Sequence, residues 1–128
     1  MIEINNTTKT KIPVAKMKRI IEKFILVYRL KDFSVSVAII GDQKMRELNY
    51  SYRGYNQPTD VLSFTELREI IIDIKAIERQ AKELGQSRDS ELWFILVHGL
   101  LHLIGYDDNT ENKRLKMIAR GEDFLRLL

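Results

Sequence analysis

An α+β domain is what this sequence predicts, and three observations predict it. Apolar residues recur at helical spacing in some segments and alternate at strand spacing in others. The two kinds of segment do not follow one another strictly, as a doubly wound sheet requires. The stretch from about Arg88 to Ile104 is apolar on nearly every face, which marks a helix buried at the centre of the molecule. A chain of 128 residues suffices for one core, so residues 1–128 read as a single domain.

The elements follow in order. Met1 to Asn5 reads as an edge strand. Pro13 suits the first turn of a helix, and Val14, Met17, Ile21, Phe24, Ile25 and Tyr28 fall on one face of it. Val35, Val37 and Ile39 alternate with Ser34, Ser36 and Ala38, the period of a half-buried strand that Gly41 ends. Asp42 is placed to cap the next helix, whose apolar stripe is Met45, Leu48 and Tyr52. Pro58 stops that helix. Asp60–Phe64 and Ile70–Ile74 read as two strands, close enough for a hairpin. A polar helix from about Lys75 to Leu84 ends at Gly85, the buried helix follows, and an amphipathic helix from about Glu111 to Leu127 closes the chain.

Composition narrows the function classes. The absence of cysteine excludes a disulfide scaffold and a thiolate metal site, so a metal here needs His and carboxylate ligands. The polar N-terminus lacks the apolar core of a secretory signal, and the longest apolar stretch is broken by His98 and His102. The expectation is a cytoplasmic protein with no membrane partner. Residues 1–33 carry eight Lys/Arg against three acids, a mild basic excess that suits a polyanion or a solvated helix face equally.

His98 and His102 are four residues apart, so on a helix they point the same way, about 40° apart around the axis. They sit within the most apolar segment, where two unpaired imidazoles are costly to bury. A shared metal ion explains the pair better than two separate core histidines. Gly105 follows three residues on and can turn the chain back, bringing Asp108 toward both rings. H-x-x-x-H-x-x-G-x-x-D is the metzincin zinc spacing with Asp for the third His. Two His and one carboxylate leave a coordination position open for water or substrate. Metzincins carry their general-base Glu directly after the first His; here that residue is Gly99.

The run His98-Gly99-Leu100-Leu101-His102-Leu103-Ile104-Gly105-Tyr106-Asp107-Asp108 resembles the HGxLHLxGYDH signature of the YbeY family of bacterial endoribonucleases. Leu48-Asn49-Tyr50-Ser51-Tyr52-Arg53-Gly54 and Pro58-Thr59-Asp60-Val61-Leu62-Ser63-Phe64 resemble that family's LNxxYR…PTDVLSFP block. The resemblance covers essentially the whole chain. It implies a four-stranded mixed sheet around a central metal-bearing helix. It also implies a zinc-dependent endoribonuclease that prefers single strands, acts in ribosomal RNA maturation and ribosome quality control, and meets ribosomal RNA and ribosomal subunit proteins. By position it makes His98 and His102 metal ligands and Arg53 the functional arginine in the cleft facing the metal.

Three positions depart from the pattern: Asp108 replaces the third His, Arg68-Glu69 replaces Gly-Asp before the fourth strand, and Thr65 follows Phe64 where Pro is usual. The expected metal set is therefore His98, His102 and Asp108, holding Zn2+ or another divalent transition metal, with Arg53 as the catalytic residue. Asp107 reads as a turn residue, Met117 as core, and Trp93 and Phe94 as packing on the buried helix. Thr59, Asp60 and Ser63 either shape the cleft or bond to the backbone at the strand entry. Two other functions remain open: a zinc metalloprotease or other metal hydrolase, and a ribosome-associated binding protein with weakened catalysis.

Overall fold

The computed structural model describes residues 1–128. Its elements are β1 (Ile2–Asn6), α1 (Val14–Val27), β2 (Val35–Ile40), α2 (Asp42–Arg53), β3 (Val61–Phe64), β4 (Glu69–Asp73), α3 (Ile74–Leu84), α4 (Arg88–Leu103) and α5 (Glu111–Leu125). The sheet order is β1-β2-β4-β3. β1 and β2 are parallel, as are β2 and β4, while β3 runs antiparallel to β4. This is the mixed four-stranded sheet of an α+β fold.

β3 and β4 form the expected hairpin, and Arg68 takes a left-handed conformation (φ 51°) just before β4 begins. The register pairs Ser63 with Ile70 and Val61 with Ile72, so these four side chains share one face of the sheet. On that face Val35, Val37, Ile39, Ile70 and Ile72 join Leu92, Leu96, Leu100, Phe24 and Phe124 in the main core. Each aliphatic side chain fully buried there contributes about 1.5–3 kcal/mol. The opposite face carries Ile40, Leu62 and Ile71 under Met45 of α2, with Leu48 against them.

α4 begins at Ser87, whose side chain accepts a hydrogen bond from the Ser90 backbone N–H, and Asp89 and Glu91 favour its positive end. It packs on α3, α5, β3 and β4. At Gly99 the helix lies close against the sheet. A methyl group built there lies 3.1 Å from Ile70 Cγ2 and 3.3 Å from Ser63 Oγ.

Three expectations need correction. Asp42 does not cap α2: Gly41 occupies the cap position, and the Asp42 carboxylate instead takes a two-pronged ion pair from Arg79 of α3 at 2.7 and 3.0 Å. Ile74, read as the last strand residue, instead opens α3, which the fully buried Asp73 caps by accepting from the Lys75 N–H. Tyr52, read as part of the apolar stripe of α2, is 64% exposed.

Candidate metal centre and cleft

The last two turns of α4 aim His98 and His102 at one point. Their rings lie 4.9 Å apart and nearly perpendicular. Helix α4 ends at Ile104, and Gly105 at φ 109° lets the chain double back, with the Tyr106 N–H returning to the Leu101 carbonyl. The reversed chain delivers Asp108. Its Oδ2 lies 3.3 Å from His98 Nε2 and 3.6 Å from His102 Nε2. All three donor atoms fall within 4.8 Å of one another.

The two Asp108 separations fit a metal. Ligand bonds of about 2.0–2.2 Å at tetrahedral angles put donor atoms roughly 3.3–3.5 Å apart. His102 Nδ1 lies 3.0 Å from the Tyr106 carbonyl oxygen, so Nδ1 carries the proton it donates there and Nε2 keeps its lone pair for the centre. Burial, then the neighbouring His102, lowers the pKa of His98, while Asp108 opposes the shift. A lowered pKa favours the neutral imidazole that a metal needs.

The three donors open into a cleft of about 510 Å³. Its wall exists because β3 is the sheet edge: Val61 and Ser63 face α4 there, with no further strand beside them. Arg53, from the last turn of α2, lines the same cleft, as do Thr59, Asp60 and Thr65. Sequence motifs some forty residues apart thus meet at one site.

A family model described as Endoribonuclease YbeY matches residues 3–128. The chain belongs to the YbeY family of endoribonucleases. Endoribonuclease YbeY of Heliobacterium modesticaldum is 40% identical over 119 residues, covering 77% of this chain and 72% of that one. The Petrotoga mobilis protein of the same name is 36% identical over 133 residues, covering 98% and 92%. The solution structure of TM1509 from Thermotoga maritima matches with a TM-score of 0.71 and 27% identity, over 97% of this chain and 86% of that one.

Within this YbeY fold Gly99 accounts for the missing protease base. Its Cα faces Ile70 and Ser63 of the sheet at distances that leave no room for a carboxylate arm. Asp107, read as a turn residue, pairs with Lys113 at 3.6 Å, and Met117 is core as expected. Trp93 is buried as expected, but Phe94 is not simply packing: it lines the cleft, its ring stacked beside His98 at 6.2 Å. Asp60 accepts a hydrogen bond from Gln80 Nε2 at 3.1 Å and lines the cleft as well. Arg114 and Ile118 of α5 escaped the sequence reading altogether. The one signal for Arg114 was its place in the first turn of the helix after Asp108. Glu111 holds its guanidinium at 2.8 Å.

Proposed function

We propose that this protein is a metal-dependent endoribonuclease that cuts single-stranded RNA at the His98–His102–Asp108 cleft. The carrying observation is that a donor set with metal-ligand spacing and an unpaired arginine line one open cleft. His98, His102 and Asp108 would hold the ion, with zinc the best match to two imidazoles and a carboxylate. When bound, such an ion supplies Lewis acidity toward water or a phosphoryl oxygen.

The chain's own residues do the rest. Arg53 takes no part in the ion pairs of the chain, so its guanidinium fork is free for the scissile phosphate. Charge that builds on the non-bridging oxygens during displacement is stabilised by that fork. Tyr106, through its carbonyl, keeps His102 in the tautomer the ligand set requires. Thr59, Ser63 and Thr65 present hydroxyls along the wall. Family membership supports ribosomal RNA maturation and ribosome quality control in the cytoplasm as the setting, with ribosomal subunit proteins nearby. No helix is long and apolar enough to cross a membrane.

The test is a side-by-side incubation of purified protein with single-stranded RNA, a duplex of the same sequence, and casein, with zinc or with EDTA. Cleavage of the single strand alone, abolished by EDTA and restored by zinc, is expected. EDTA-resistant cleavage overturns the metal dependence, and casein digestion without RNA cleavage overturns the substrate. Retention of metal and of ribosome binding without any cleavage identifies a binding protein instead.

A further inference from the structure

Tyr52 and Tyr55, at the end of α2 and in the turn after it, are 64% and 54% exposed, and neither belongs to the core. They flank Arg53, which lines the cleft. The Tyr52 ring leans on Phe64 with centroids 4.9 Å apart, and Phe64 follows Ser63 on the strand that walls the cleft. The Arg53 guanidinium lies 5.3 Å from the centroid of the Tyr55 ring. Tyr55 is therefore held beside the cleft residue Arg53, and Tyr52 beside Phe64 at the end of the edge strand, yet both rings keep more than half their surface in water.

We propose that Tyr52 and Tyr55 form a stacking ledge for unpaired bases of the RNA strand that enters the cleft. This rests on the RNA reading above. Exposed aromatic rings beside a cation match the chemistry of single-stranded nucleic acid, in which π faces alternate with phosphates. Continuity with the cleft fixes the occupant. A phosphate held at Arg53 leaves its flanking bases beside the two rings, and a duplex, whose bases are already stacked on each other, gains nothing there. The ledge thus selects unpaired strands, and it does so without reading sequence, because every base has a face to stack. Tyr52 and Tyr55 are positioning residues in this scheme and touch no reacting atom.

The experiment measures binding of a fluorescein-labelled twelve-nucleotide single-stranded RNA by anisotropy in EDTA, beside an abasic strand of equal length and charge. Wild type is compared with Tyr52→Ala, Tyr55→Ala and both Phe variants, with circular dichroism confirming the fold. Each Ala variant is expected to lose about 5- to 150-fold in affinity for the RNA, the range that one stacked base supports. The Phe variants should bind like wild type, and the abasic strand should bind all five proteins equally weakly. Ala variants that bind the RNA as wild type does overturn the ledge while leaving the nuclease reading intact. An equal loss on the abasic strand also overturns it, since the effect is then not stacking. Wild type that neither binds nor cuts RNA removes the nuclease reading and the ledge with it.

Discussion

The imidazole of His102 and the backbone carbonyl of Tyr106 are joined at 3.0 Å, across the turn that also brings Asp108 home. One turn therefore does two jobs: it sets the tautomer of the second histidine and supplies the third donor. The donor most open to challenge by substitution is Asp108, because its side chain is 40% exposed.

Asp108→Ala should lose more metal affinity than the roughly 10- to 100-fold typical of an outer partner. Asp108→His should retain the metal, since an imidazole restores a third neutral donor of suitable type. Elemental analysis of the three proteins after dialysis decides the matter. Metal retained at full stoichiometry by Asp108→Ala removes Asp108 from the ligand set.

Arg53→Ala should lower RNA cleavage on the order of 100-fold, the scale seen when one charge-stabilising donor is lost. Metal content should not change, because Arg53, on α2, is not one of the three donors. Parallel loss of metal and activity contradicts a phosphate-binding role.

Gly99→Glu, which restores the metzincin spelling, should destabilise the fold by at least about 3 kcal/mol, through overpacking and an uncompensated buried charge. Urea unfolding measures the loss. No casein hydrolysis should appear, since the added carboxyl points at Ile70 and Ser63. A stable, proteolytic Gly99→Glu protein contradicts the close approach of α4 to the sheet.

Asp73 sets a pH dependence outside the cleft. Burial, then the adjacent Asp42 carboxylate, pushes its pKa up to about 7, whereas the Arg79 hydrogen bond pulls Asp42 down to about 2. A raised carboxyl pKa favours the folded state fully below the unfolded value near 4, and that advantage is lost as pH rises through 7. Asp73→Asn keeps an oxygen to accept from Lys75 and carries no charge. Its stability relative to wild type should therefore grow between pH 4 and pH 7 and level off above. The Asp42 effect is lost only as pH falls below 4 toward 2, outside the range of the measurement. Denaturant midpoints at pH 4, 5.5, 7 and 8.5 measure the difference, and a flat difference contradicts the raised pKa.

Much of this was legible in the chain, and the gaps have physical causes. α4 declared itself because burial on all sides forces an all-apolar helix, and two histidines inside it demanded a common partner. The β3–β4 hairpin was visible in its short connection. Asp42 was misread because a carboxylate at a helix start suits both a cap and an ion pair, and only the placement of Arg79 thirty-seven residues later decides between them. Tyr52 has helical spacing with Met45 and Leu48, but α2 ends at the sheet edge, where Phe64 offers a side to lean on and nothing to cover it. Phe94 lies on the buried helix, yet past the edge strand that helix faces open cleft. Periodicity reports which way a side chain points. It does not report where the neighbouring layer stops.

The turn at Gly105 also makes the donor cluster local in the sequence. His98 and Asp108 are ten residues apart, and a loop of that length closes in about 10–100 ns. Arg53 reaches the same cleft only once parallel pairings such as Ser36 with Glu69 have formed, and non-local β topology of that kind takes about milliseconds to seconds. The ligand cluster is thus a local event and the cleft a global one. The three donors draw on residues 98–108 alone, whereas the groove beside them needs α2, the edge strand and α5 as well.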